Sequence, residues 1–370
     1  MHCRPVRLVF ATVLIAGSAC APTIGPVSLP ADVLVVLDSA SHVLQLINVD
    51  NANDTITLPL SGTLEDSPTS LAVQGTTAAV GLGASHHVLL VDLATGASTD
   101  ISLGSQSLGG AITALAIDNG TVYATSRAAN AYWTINILGG SVGGPTIFAG
   151  GGGPQGFGIA RGNVFVVAGN REHCDNVPLN LYASLCSHDP SFLIPLPVPA
   201  SGAIDSIPLG PPGNATAAVA APDGSLYVLS TGNGDADGVL SRVDPITRTF
   251  KASYTGFGLL PQYLASDGGD RLYVASASTL SVFSISGQSV IRGPGAAVQG
   301  IPVQDAVGLV TDEVGRAYVI QASGSACTSA LTGKVRVFGT DLVEQQPIVT
   351  GSCPVAAALT EIQANLLPHH

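Results

Sequence analysis

Leu226-Tyr227-Val228-Leu229-Ser230 and Leu272-Tyr273-Val274-Ala275-Ser276 are two copies of one pattern, an apolar-aromatic-apolar triplet followed by a small polar residue. Looser copies recur as Val33-Leu34-Val35, Ala78-Ala79-Val80, Val122-Tyr123-Ala124, Val164-Phe165-Val166 and Ala317-Tyr318-Val319. The central residues stand 45, 44, 42, 62, 46 and 45 positions apart. A four-stranded propeller blade takes about 40–50 residues, so each interval matches one blade and the longest carries an insertion.

Working outward from the triplet, a tight turn precedes most copies: Asn119-Gly120, Gly162-Asn163, Asp223-Gly224 or Gly269-Asp270. Such pairs permit the left-handed backbone of a hairpin. Before the turn comes a strand of small and apolar residues, as in Ser70-Leu71-Ala72-Val73, Ala114-Leu115-Ala116-Ile117 and Ala217-Ala218-Val219. After the triplet comes a third strand, such as Val88-Leu89-Leu90-Val91 or Leu240-Ser241-Arg242-Val243, ending in an acidic turn at Asp92 or Asp244. The first blade lacks its inner strand, because residues 22–30 contain Pro22, Pro26 and Pro30. Pro354-Val355-Ala356-Ala357-Ala358-Leu359 copies the opening Pro68-Thr69-Ser70-Leu71-Ala72-Val73 and supplies that strand from the far end of the chain. The expected fold is all-β: a seven-bladed β-propeller over residues 32–360, with velcro closure by the C-terminal strand. Closing the ring protects edge strands that would otherwise pair with other chains.

Tyr123-Ala124-Thr125-Ser126, Tyr227-Val228-Leu229-Ser230 and Tyr273-Val274-Ala275-Ser276, with Asp-x-x-Thr turns at Asp92 and Asp244, resemble the YVTN-repeat propellers. The resemblance extends over residues 32–360, although no blade has the full Tyr-Val-Thr-Asn signature. It implies the fold and an extracytoplasmic address, and it implies no chemistry.

Composition narrows the partners. The 370 residues carry a net charge of −12, with 10% charged and 46% hydrophobic residues, 44 glycines and 24 prolines. Such a chain is too apolar for disorder, and its glycines and prolines suit short strands and tight turns. Its charge repels phosphate backbones, which excludes nucleic acid as a partner. Cations, glycans, small molecules and proteins remain compatible with it.

Residues 1–19 have the form of an export signal: Arg4 and Arg7, an apolar run from Leu8 to Ala16, then Gly17-Ser18-Ala19 before Cys20. The apolar run is too short to span a bilayer. The segment resembles a bacterial lipoprotein signal, which implies lipidation of Cys20 and a membrane anchor, with residues 20–31 as tether. Gly17 stands where leucine is commonest, and Gly17 with Ala19 also fits ordinary signal cleavage. Simple secretion is therefore the alternative to an anchored position at the cell envelope, periplasmic or surface-facing. Residues 361–370 read as a C-terminal tail.

Candidate chemistry falls on loops between the second and third strands of the blades. There lie His42, His86, His87, Arg127, Arg171, His173 and His188, which could form a binding face or repeat a polar turn residue from blade to blade. The blade-four insertion holds Cys174 and Cys186, and Cys327 and Cys353 bracket the last blade and the closing strand. In an exported protein both pairs read as disulfides, with zinc at His173, Cys174, Cys186 and His188 as the alternative for the first. Asn233, Asp235 and Asp237 alternate before Gly238, as the oxygen ligands of a calcium loop do, with Asp244 at the twelfth position; a hairpin tip is the alternative. The chain has no His-Glu-x-x-His pair or phosphate-cradling loop. The expected function is a ligand- or protein-binding scaffold without catalysis. The alternative is a divalent-metal-dependent enzyme, lactonase- or lyase-like, with its site at the channel mouth.

Overall fold

The structure is a computed structural model that describes residues 30–60, 67–83, 86–104, 111–148, 152–169, 172–173, 187–188, 190–198, 205–232, 234, 236–323 and 332–363. Seven antiparallel blades of four strands form a ring, and the described residues contain no helix. Blades 2 to 7 occupy residues 68–102, 114–147, 154–210, 215–254, 261–302 and 306–349 in simple chain order. Blade 1 combines strands at Pro30–Asp38, Val43–Asn48 and Thr55–Pro59 with Pro354–Gln363 on its inner side. The closing strand runs antiparallel to Pro30–Asp38, with Pro30 opposite Gln363 and Leu34 opposite Leu359.

The triplets fall on the second strand of each blade, where both faces are covered. Seven hydrophobic clusters fill the structure, one at each junction between neighbouring blades. In blade 5, Leu226 and Val228 pack toward blade 4 while Tyr227 packs toward blade 6. Burial on both sides explains why these strands read as continuous apolar runs rather than as alternating ones. Blade 1 departs from the triplet alignment. Leu34 faces blade 7, whereas Val33 and Val35 face blade 2, so Val35 and not Leu34 holds the place of Tyr227. Val33-Leu34-Val35-Val36-Leu37 is apolar at every position, so the sequence pattern there cannot fix which parity faces which neighbour.

The tyrosine and the turn before it act together. Tyr318 donates its hydroxyl to Asp312 at 2.8 Å, and Tyr227 donates to Asp223 at 3.3 Å. Each aspartate sits in the turn between the inner and second strands. The acidic turns between third and outer strands are also self-contained: Asp244 Oδ1 accepts from the amides of Ile246 and Thr247, and Asp92 Oδ1 from that of Ala94.

These turns lie on one face of the ring, the turn face. Inner strands begin on the opposite face, where second strands end; this is the mouth face. Both Pro30 and Gln363 lie at the turn face.

A candidate binding site at the channel mouth

Inner strands of blades 4 to 7 open toward the mouth face and leave a cavity of about 510 Å³ at the top of the central channel. Its polar lining is Arg127, Gln155, Asn214, Thr216, Thr231, Gln262 and Tyr263. Each comes from the start of an inner strand or the end of a second strand, so the repeat itself brings them to one level. Arg127 follows the second strand of blade 3, and its amide donates to Thr113 Oγ1 at 2.8 Å.

The lining is held by bonds between blades. Gln155 donates its amide to Asn214 Oδ1 at 2.7 Å, and Asn214 donates to the Gly232 carbonyl at 3.2 Å. Gly169 makes room for this contact, because a Cβ there would collide with the Gln155 amide nitrogen. A Cβ at Gly156 would press on the carbonyl of Thr216, so glycine lets the inner strands of blades 4 and 5 approach closely. Thr231 donates to the Pro261 carbonyl at 2.6 Å, and Thr216 Oγ1 lies 3.1 Å from Thr231 Oγ1. Burial raises the pKa of the Tyr263 phenol above its ordinary value and keeps it a neutral donor. The pocket thus presents a guanidinium, carboxamides, hydroxyls and a phenol. These groups can bind and orient a polar ligand, and among the described residues the lining contains no carboxylate, imidazole or thiol.

The residues singled out in the sequence scatter. Of those among the described residues, only Arg127 lines the pocket. His42 and His86 share a backbone role: each takes a positive φ, 53° and 54°, and its carbonyl accepts from the residue after the outer strand, Leu60 or Leu103. Asn130 does the same for Phe148 in blade 3, so His42 corresponds to His86 and not to His87. His86 is buried, with its ring 5.8 Å from that of Trp133. His87 opens the third strand of blade 2, and its Nδ1 lies 2.7 Å from Asp100 Oδ1 on the outer strand. Glu172–His173 pairs with Ser187–His188 as the stem of a hairpin within the blade-4 insertion. Asp237 is exposed on the mouth face, while Asp244 closes the far end of the strand Val239–Asp244, roughly 17 Å away at about 3.3 Å per residue. Asp244 therefore cannot complete a calcium loop begun at residue 233. Among the described residues no three His, Cys, Asp or Glu side chains gather to hold a metal ion. Cys20, Arg171, Cys174, Cys186, Asn233, Asp235 and Cys327 lie outside the described residues.

The pocket's amide and hydroxyl residues carry no distinctive signal of their own in the sequence, because these are common surface types. One signal was available: Gln155 and Gln262 each follow the proline that opens an inner strand, as Thr69 follows Pro68.

The class defined by this architecture is the seven-bladed β-propeller, and solved structures agree with it. Streptogramin B lyase superposes with a TM-score of 0.54 at 11% identity, covering 77% of this chain and 84% of that one. Kuenenia stuttgartiensis hydrazine synthase gives 0.59 at 14%, covering 82% and 91%. Apo AztD from Citrobacter koseri gives 0.52 at 13%, covering 90% and 99%. At these identities the likeness concerns the fold alone. No family model matches the chain. No curated protein matches it in sequence.

Proposed function

We propose that the chain is an exported, membrane-anchored β-propeller that serves as a binding scaffold at the bacterial cell envelope. On this reading it takes a small polar ligand with an anionic group at the channel mouth. The observation that carries the proposal is the 510 Å³ pocket in which Arg127 stands beside neutral hydrogen-bonding groups from three further blades. A concave, largely preformed cavity with a few convergent polar groups is the usual form of a small-molecule site. Export and anchoring rest on the leader and Cys20, and an extracytoplasmic address fits the YVTN-like repeat.

The experiment is a thermal-shift screen of the purified mature protein against small carboxylates and amino acids. It is repeated with Arg127→Gln and with Gln262→Ala. Stabilisation by one member that both variants lose supports the reading; no saturable shift at millimolar concentrations overturns it. Mass spectrometry of the mature N-terminus tests the anchor separately, and an unmodified Cys20 would refute lipidation. A divalent-metal-dependent enzyme would need anionic or imidazole ligands at the mouth, and the described residues of the pocket lining include none.

A further inference from the structure

A second cleft, of about 300 Å³, lies on the turn face between blades 4 and 5, remote from the channel mouth. The chain has thirteen Lys and Arg residues, and three of them line this cleft: Arg161, Arg242 and Lys251. Two carboxylates, Asp223 and Asp244, share it. Asp223 is committed to Arg242, whose Nη2 it meets at 2.9 Å. Asp244 spends Oδ1 on the backbone of its own turn, and its Oδ2 stands 3.6 Å from Lys251 Nζ. One positive charge is in excess, and it belongs to Arg161, which has no ion pair among the described residues.

Arg161 is placed with some care. It occupies a two-residue turn with Gly162, at φ values of 52° and 73°, where the matching blade-3 turn has Asn119 and Gly120. Asparagine tolerates that left-handed conformation better than arginine does, so the turn carries local strain at this residue. The Arg161 guanidinium lies against Gly224 of the next blade, and any Cβ at Gly224 would collide with it. Blade 5 therefore provides a glycine seat that holds a blade-4 cation over the cleft. Strained backbone of this kind collects at functional positions.

We propose that this cleft binds a small oxyanion, a phosphate or sulfate group, with Arg161 as its principal donor. Lys251 assists as a second cation, and the Arg242–Asp223 pair forms a fixed wall. A planar guanidinium gives two parallel donors to such a group, the geometry that favours arginine over lysine. The oxyanion could belong to a free phosphate or to a lipid headgroup, because the chain's first described residue, Pro30, lies on this same face.

Calorimetric titration with inorganic phosphate, and flotation with phosphatidylglycerol vesicles, test the two sources on the wild-type protein. Arg161→Gln is expected to weaken whichever binding is seen about tenfold or more, as loss of a charge-assisted contact does. Lys251→Gln should weaken it less, and Gly224→Ala should abolish it by displacing the guanidinium. Arg127→Gln should leave it intact, which separates this cleft from the channel mouth. Binding to phosphate alone assigns the site to a free oxyanion; vesicle binding that Arg161→Gln removes assigns it to a headgroup. Failure of the wild type to bind either probe overturns the proposal, as does binding that Arg161→Gln leaves unchanged.

Discussion

The Asp38 carboxylate accepts a hydrogen bond from the amide of Cys353 at 3.0 Å, joining residues 315 positions apart. The other carboxylate oxygen accepts from the Ser41 amide at 2.8 Å, and the side chain is fully buried. Gly351 is required beside it, because a Cβ there would collide with the carboxylate. Asp38 thus fixes the start of the closing strand against the blade that it completes. Asp38→Ala leaves two amides without their acceptor and is expected to cost about 2–3 kcal/mol in urea unfolding. Gly351→Ala should act in the same direction, through collision rather than through a lost partner.

The buried unit of Asp312, Arg316 and Tyr318 joins blade 7 to blade 1. Asp312 Oδ2 accepts from Tyr318 and from Arg316 Nε, and Arg316 also reaches Asp50 of blade 1 at 2.9 Å. Burial, reinforced by the hydrogen bond to Asp312, holds the Tyr318 phenol far above its ordinary range. Tyr318→Phe should cost about 1 kcal/mol, the net value of one hydrogen bond. Asp312→Ala should cost about 3 kcal/mol or more, because it removes one carboxylate partner from a largely buried guanidinium and leaves the buried Tyr318 hydroxyl without its acceptor. Denaturant melts of the two variants separate these outcomes.

Two acidic sites on the turn face give stability opposite pH dependences. Hydrogen bonds from Thr247 and Ile246 hold the Asp244 carboxyl at about 2, below its unfolded value. Its contribution is complete above about pH 4 and is lost as pH falls toward 2. Glu313 is raised by a hydrogen bond with Glu361 and by that residue's charge, so its contribution is present at low pH and fades as pH rises through the raised value. Asp244→Asn should flatten the acid limb of the stability profile. Glu361→Gln should raise stability at neutral pH and remove the loss that accompanies ionisation of Glu313. Thermal melts between pH 2 and 7 read both effects.

The cysteines give a further test. The blade-4 stem pairs Glu172 with His188 and His173 with Ser187, and in the sequence Cys174 directly follows His173 while Cys186 directly precedes Ser187. Cys353 is buried beside Ser39, whose hydroxyl donates to its sulfur at 3.2 Å. We expect peptide mapping without reductant to recover Cys174 joined to Cys186, and Cys327 joined to Cys353. Opening the second bridge should cost about 3.5 kcal/mol in the chain-entropy model. Recovery of either pair as free thiols from oxidising conditions would refute that bridge.

The fold was legible because a propeller repeats its instructions. The spacing of Tyr123, Phe165, Tyr227, Tyr273 and Tyr318 marked second strands, and Pro354 to Leu359 marked the closure. What the pattern could not resolve was register within Val33 to Leu37, where every residue is apolar. The site was less legible for a different reason. Histidines, cysteines and aspartates are the conspicuous chemistry of the sequence, yet His42 and His86 are turn residues. Gln155, Asn214 and Gln262 are ordinary in sequence and become a pocket only when the ring sets strand openings side by side.

The pairing of Pro30 with Gln363 and of Asp38 with Pro354 has a mechanical consequence. Both ends of the ring leave from the same end of one antiparallel ladder, so tension applied between them opens the ladder one pair at a time, as a zipper, rather than shearing all pairs together. The propeller is therefore a weak link when pulled in series between two attachments. Held by one end alone, as from a lipid at Cys20, the ladder carries no tension.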